Sequence, residues 1–148
     1  MTATPGTTEG STELVPATSA ATARAISVLL YSYNRDVRDA VRMGVGDHPA
    51  ADVRIERWHE CATPEAAILD VKAGGYDVLI LDGESQPYGG MGISRQLKNE
   101  IFECPPILVL TGRPVDGWLA TWSLADAALP RPLDPQAMAA AVADLARR

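Results

Sequence analysis

The sequence contains little cysteine, and this scarcity excludes several kinds of site. Only two cysteines occur among 148 residues, Cys61 and Cys104, and they lie far apart, outside any Cys-x-x-Cys pair. A disulfide framework or a zinc site needs more ligands at closer spacing, and His48 and His59 do not complete one. We therefore predict that both cysteines are small buried hydrophobic residues, and that the protein has no metal site.

An excess of basic residues and a long apolar run are also missing. The formal net charge is −6, whereas a protein that holds nucleic acid or an anionic membrane usually presents a basic surface. No apolar run approaches the roughly 20 residues that a membrane helix needs. The first residues lack the basic and apolar regions of a signal peptide. We therefore expect a cytoplasmic protein with neither nucleic acid nor membrane as a partner.

The composition divides the chain into a tail and one domain. Residues 1–24 are dominated by Thr, Ala, Ser, Gly and Pro, which bury too little apolar surface to offset the entropy lost on ordering. We predict a disordered tail there, without assigning it a docking or phosphorylation role. Residues 25–148 are numerous enough for one compact domain and too few for two.

Strand and helix signals alternate through this domain. Strands are predicted over 26–31, 53–58, 78–81, 107–110 and 127–129, and the second, which alternates apolar and polar residues, is assigned to an edge. Asn34, Thr63 and Asp134 are predicted to cap helices. Further helices are predicted over 93–99 and 118–125 and a glycine-rich loop over 83–92, while the helix after Asp134 is predicted over 136–146.

Five consecutive strand–helix units predict an α/β fold with a parallel sheet covered by helices on both faces. Ligands and reaction sites of such sheets lie at the carboxyl ends of the strands. This rule selects three short segments of the chain as the candidate site: 32–34, 82–84 and 111–112.

From Ile26 onward, the residues at these positions resemble a response-regulator receiver. The segment YDVLILDGESQPYGG places Asp82 where the family has its phosphoacceptor aspartate. Thr111 and the following glycine match the Ser/Thr-plus-small pair after the fourth strand, and Arg131 with Pro132 replaces the family's Lys-Pro. The resemblance implies a flavodoxin-like, doubly wound (βα)5 sheet with strand order 2-1-3-4-5 and no enzymatic activity.

Three departures from the family pattern predict an atypical receiver, or pseudo-receiver. Ser32 and Tyr33 occupy the positions of the acid pair that holds Mg²⁺, so we expect magnesium binding to be weak or absent. Arg131 replaces the switch lysine and can pair with Asp82 in a bidentate manner. Ala128 occupies the position of the aromatic residue that moves on activation. We therefore expect no conventional Mg²⁺-dependent phosphorylation.

Purely structural roles remain open for several of these residues. Asp82 could be a strand-end residue that accepts backbone hydrogen bonds, Thr111 a helix cap, and Arg131 a solvated surface charge. The glycines at 89, 90 and 92 could cradle an anion at the start of the next helix, although a flexible loop explains them more simply.

The function predicted from this resemblance is a stand-alone signalling module that binds another protein. Trp118 and Trp122 lie one helical turn apart and form either part of the core or a docking surface. The partner could be a histidine kinase, a separate effector or a second copy docked on the family's α4-β5-α5 face. One alternative is a receiver still phosphorylated on Asp82. A remote alternative is a flavin-type binder, although no glycine follows the first strand.

Overall fold

The computed structural model describes residues 23–85, 89–112 and 121–148, which form a five-stranded parallel sheet with helices on both faces. The strand order is β2-β1-β3-β4-β5, as predicted. Residues 1–22 of the predicted tail lie outside the described residues, and the first strand begins at Arg24, within the range predicted as tail. The strands are β1 (Arg24–Tyr31), β2 (Val53–Cys61), β3 (Val78–Asp82), β4 (Ile107–Thr111) and β5 (Ala127–Pro130), and the helices of eight or more residues are α1 (Arg35–Val45), α2 (Pro64–Ala73), α3 (Gly90–Glu100) and α4 (Pro135–Ala146).

Alternate residues of the central strands point into two apolar layers. In β1, Val28 and Leu30 face the layer that α1 and α4 cover, whereas Leu29 and Tyr31 face the layer that α2 and α3 cover. All residues of β3 and β4 are buried, as expected for central strands of a sheet covered on both faces. The two layers hold the carboxyl ends of β1, β3 and β4 side by side.

The helices begin where the predicted caps place them. The side-chain oxygens of Asn34, Thr63 and Asp134 accept hydrogen bonds from first-turn backbone N–H groups at 2.9, 3.2 and 2.9 Å. Such bonds satisfy donors that have no partner within the helix. Among the described residues, no helix is both long enough and apolar enough to cross a membrane.

The edge strand β2 is longer than predicted and contains a bulge. Ile26 of β1 pairs with Ile55, but the next residue, Ser27, pairs with Arg57, so one residue of β2 is skipped. An extra residue in a strand reverses its side-chain alternation from that point on. As a result, Trp58 packs on the same apolar layer as Ile55, while the side chains that follow at 59 and 61 face α2.

The prediction that the glycine-rich segment is a loop up to residue 92 is wrong. Helix α3 already begins at Gly90. Glycine normally disfavours helix, but packing requires it here. A Cβ atom on Gly90 would lie 2.7 Å from the carbonyl oxygen of Asp82, so only glycine lets α3 approach β3 this closely. The prediction of a helix over 118–125 is also wrong at its end: Trp122 is helical, but Leu124 has a left-handed φ of 65° within a turn.

Candidate functional site

The carboxyl ends of the strands bring together four of the residues selected from the sequence. Asp82 ends β3 and is 1% exposed, and Ser32, which directly follows β1, is fully buried. Thr111 ends β4 and is also buried. Arg131 follows β5 and extends its guanidinium over this edge of the sheet toward Asp82. The four side chains come from strand ends and from the residues that follow them, which lie at one edge because the sheet is parallel.

Hydrogen-bond donors occupy both carboxylate oxygens of Asp82. The Ser32 hydroxyl donates to Oδ2 at 2.8 Å, and the backbone N–H of Glu84 donates to Oδ1 at 2.9 Å. Oδ1 also accepts from Nη2 of Arg131 at 3.1 Å. The Ser32 oxygen in turn accepts from the backbone N–H of Asn34 at 3.0 Å, which orients its hydroxyl proton toward Asp82.

The contact between Arg131 and Asp82 differs from the bidentate pair considered from the sequence. Only Nη2 reaches the carboxylate, whereas Nη1 donates to the carbonyl oxygen of Thr111 at 3.4 Å. The backbone N–H of Arg131 donates to the same carbonyl at 3.1 Å. The Arg131 side chain is 27% exposed and forms an ion pair with Asp82, so it is not a surface charge that only solvent surrounds.

A second buried serine, which the sequence analysis missed, fixes the segment after β1. The backbone N–H of Tyr33 donates to Oγ of Ser85 at 2.7 Å, while Tyr33 itself is half exposed. Burial raises the pKa of the neighbouring Tyr31 hydroxyl, a hydrogen bond with Ser85 lowers it, and the charge of Asp82 raises it further. The position of Ser85, three residues after Asp82 in a loop at the same sheet edge, was the available signal.

An ion-pair network on α1, also missed, supports the Ser32 backbone from the other side. Nη1 of Arg38 donates to the carbonyl oxygen of Ser32 at 2.6 Å, and Nε donates to Glu60 at 2.9 Å. Arg42, one turn later on α1, donates to the other oxygen of Glu60 at 2.8 Å. Arg42 and then Arg38 lower the pKa of Glu60, against the effect of burial. The spacing of the two arginines was the signal in the sequence.

Of the two tryptophans proposed as a docking surface, only Trp122 lies within the described residues. Trp122 is 46% exposed. The guanidinium of Arg95 on α3 stacks 4.9 Å from the centre of its ring and donates to its carbonyl oxygen at 2.7 Å. Trp118 lies outside the described residues, so the shared stripe stays a prediction.

The prediction that the protein has no metal site stays a prediction, but His59 and Cys61 lie closer together than the sequence analysis considered. Both cysteines are free, and Cys61 is buried as predicted whereas Cys104 is half-buried. However, the ligand atoms of His59, Cys61 and Asp70 all lie within 4.8 Å of one another. Two of the three belong to the part of β2 that the sequence analysis had not assigned to a strand.

Comparison with known proteins identifies the family. No family model matches the chain. Two relatives, both uncharacterized response regulatory proteins of Mycobacterium tuberculosis (strains CDC 1551 / Oshkosh and ATCC 25618 / H37Rv), are 47% identical over 123 residues, which is 83% of this chain and 92% of each relative. This chain belongs to the response-regulator receiver family. Receivers are in general not catalytic enzymes.

Solved structures share the fold of this receiver at low sequence identity. A putative response regulator from Chloroflexus aurantiacus J-10-fl matches with a TM-score of 0.70 and 19% identity, over 84% of this chain and 100% of that one. The chemotaxis response regulator CheY4 of Vibrio cholerae matches with a TM-score of 0.66 and 19% identity, over 82% and 99% of the two chains. The receiver fold is therefore shared over nearly all of the region after the predicted tail.

Proposed function

We propose that this receiver is a signalling module that binds another protein and does not use conventional Mg²⁺-dependent phosphorylation of Asp82. The hydrogen-bond environment of Asp82 carries the proposal. A hydroxyl, a backbone N–H and a guanidinium occupy its two oxygens, and all three groups present hydrogen atoms to the carboxylate.

The side chains around Asp82 do not fit magnesium. Mg²⁺ requires near-octahedral oxygen ligands and is usually held by one or two carboxylates with several waters. Ser32 contributes a neutral hydroxyl that already donates its proton to Asp82. Tyr33 has a half-exposed phenol in place of a carboxylate. The positive charge of Arg131, 3.1 Å from Oδ1, further opposes a divalent cation at this carboxylate.

Arg131 supports the view that the site stays in one state. Arginine does not lose its charge in proteins, so Arg131 stays a cation beside Asp82. Its second nitrogen contacts the carbonyl of Thr111, which ties the ends of β3, β4 and β5 together. On β5, the exposed Ala128 has no ring that could swing between two positions. We infer that the site holds the carboxyl edge of the sheet in a fixed arrangement.

In this proposal, output depends on contact with another protein. The partner is a separate effector, a histidine kinase or a second copy of the chain. Trp122 is the candidate anchor, since exposed tryptophans are enriched among the residues that contribute most to binding. Its ring is already ordered by the stacked Arg95, which reduces the entropy that binding would cost.

Intact-mass spectrometry after incubation with acetyl phosphate and Mg²⁺ tests the proposal. The wild type should gain no phosphoryl mass. A Ser32→Asp/Tyr33→Asp/Arg131→Lys variant, which restores the acid pair and the lysine, should gain one phosphoryl group, because the restored carboxylates can hold the cation beside Asp82. Adding Asp82→Asn to that variant is the matched control and should abolish the gain.

A different result for the wild type would favour the alternative function. If the wild type gains one phosphoryl group and Asp82→Asn abolishes it, the protein is a phosphorylated receiver. The hydrogen bonds from Ser32 and Arg131 to Asp82 would then belong to a resting state and would break during the reaction.

A further inference from the structure

Three side chains with metal-binding atoms converge at the β2 edge of the sheet, outside the Asp82 site. His59 and Cys61 are two residues apart on β2 and point the same way, and Asp70 lies on α2, which covers that face. This arrangement depends on the bulge in β2, since without the skipped residue both β2 side chains would face α1 instead.

The ligand atoms of the cluster all lie within 4.8 Å of one another. Nε2 of His59 lies 2.6 Å from Oδ2 of Asp70, and the Cys61 thiol donates to the same oxygen at 3.5 Å. Zinc–ligand bonds of about 2.0–2.3 Å place neighbouring tetrahedral ligands about 3.3–3.6 Å apart. The histidine–aspartate pair must therefore open by only about 1 Å, which a small rotation of the half-exposed Asp70 side chain provides.

We propose that His59, Cys61 and Asp70 form a zinc site with water as the fourth ligand. The imidazole, thiolate and carboxylate are the three protein ligand types of zinc, and a thiolate selects against hard ions such as Mg²⁺. One side of the cluster is open, because the side chains of His59 and Asp70 are 39% and 34% exposed while Cys61 is buried. The open side leaves room for the water ligand.

Charge balance supports a divalent ion. The Asp70 carboxylate and a Cys61 thiolate together neutralise Zn²⁺, and the neutral imidazole adds no charge. In the metal-free protein the thiol keeps its proton, because burial and then the nearby Asp70 raise the pKa of Cys61 to about 12. Binding forms the Zn–S bond and releases this proton to solvent.

The neighbouring arginines already have other partners. The guanidinium of Arg57 stacks 4.9 Å from the ring of Tyr76 and donates to a backbone carbonyl at 3.2 Å. Arg38 is held by Glu60 and by the Ser32 carbonyl. The Tyr76 ring itself lies 5.8 Å from the His59 ring and screens one side of the imidazole.

Titration of the metal-free, reduced full chain with Co²⁺ tests the site, since Co²⁺ reports thiolate ligation by a charge-transfer band and tetrahedral geometry by its visible bands. The wild type should bind one equivalent with both signatures, and Zn²⁺ should displace it. Cys61→Ser, His59→Ala and Asp70→Asn should each lower zinc affinity by more than about 100-fold, because changes to outer-shell partners alone cost about 10–100-fold. Cys104→Ser and His48→Ala are matched controls and should bind like the wild type.

Several outcomes would overturn the proposal. One is a wild-type cobalt spectrum without the thiolate band. Another is equal zinc affinity in the wild type and the three cluster variants, which would mean that the cluster is only a hydrogen-bonded contact between β2 and α2. Loss of binding in Cys104→Ser or His48→Ala would place the metal elsewhere. Circular dichroism of each variant separates ligand loss from unfolding, and the experiment is independent of whether Asp82 is phosphorylated.

Discussion

Asp82 and Asp70 show how the neighbours of a carboxylate decide what it can bind. Asp82 is buried and accepts hydrogen bonds from a hydroxyl, a backbone N–H and a guanidinium. Asp70 is half-exposed and meets an imidazole nitrogen and a thiol. The first set of neighbours already satisfies the carboxylate, and one of them is a permanent cation. A neutral imidazole and a thiolate are both metal ligands, so only the second environment favours a cation.

The largest expected effect concerns the reactivity of the two cysteines, of which only Cys61 belongs to the proposed zinc site. Burial and the nearby Asp70 raise the pKa of the Cys61 thiol to about 12, whereas at Cys104 the charge of Lys98 partly offsets the effect of burial, so Cys61 should hold less thiolate at neutral pH. In metal-free protein, a disulfide reagent should therefore modify Cys104 well before Cys61. Reaction rates of Cys104→Ser and Cys61→Ser variants measure the two sites separately, and equal rates would contradict the described environment of Cys61.

Replacing each of the two aspartates by asparagine should lower the free energy of unfolding by different amounts. Asp82→Asn leaves Arg131 without its counter-charge and should lower the free energy of unfolding by about 2 kcal/mol. Asp70→Asn weakens a half-exposed contact and should cost clearly less. Urea denaturation of both variants, without added metal, measures the difference.

The sign of the Asp82→Asn effect is informative in itself. In a cluster of carboxylates, neutralising one relieves repulsion and stabilises the fold. Stabilisation of this protein by Asp82→Asn would therefore contradict the proposed pairing with Arg131.

The smallest expected effect concerns Trp122, which belongs neither to the Asp82 site nor to the zinc-site cluster. Trp122→Ala removes a half-exposed ring and its stacking with Arg95, so the free energy of unfolding should fall by no more than about 1 kcal/mol. A buried tryptophan would cost roughly 3–5 kcal/mol. Thermal unfolding measures the stability, and sedimentation velocity of the same samples shows whether the ring contributes to self-association. A loss in the larger range would assign Trp122 to the core.

Much of the fold was predictable from the sequence, because its signals are local. The buried strands are apolar runs such as 78–81 and 107–110, and side chains such as Thr63 mark helix starts. Gly90 was assigned to a loop because glycine disfavours helix. Glycine is needed at this helical position because a side chain would clash with the carbonyl of Asp82, which belongs to another element. A contact between elements has no signature within a short window of sequence.

The two candidate sites were predictable to different degrees for the same reason. Asp82, Thr111 and Arg131 follow strands, so their proximity follows from the parallel sheet. The zinc-site cluster depends on a one-residue bulge in β2, which the alternating pattern did not reveal. The spacing of His59 and Cys61 was visible in the sequence, but Asp70 joins them only through the packing of α2 on the sheet.

The central claim is that the donors around Asp82 exclude a divalent cation, and a magnesium titration of thermal stability tests it most directly. Wild type and the Ser32→Asp/Tyr33→Asp/Arg131→Lys variant should be heated with increasing Mg²⁺ at constant ionic strength. A ligand at a hundred times its Kd stabilises a protein by about 2.7 kcal/mol, so the variant's Tm should rise by several degrees while the wild-type Tm stays unchanged. An equal rise for the wild type, abolished by Asp82→Asn, would contradict the claim.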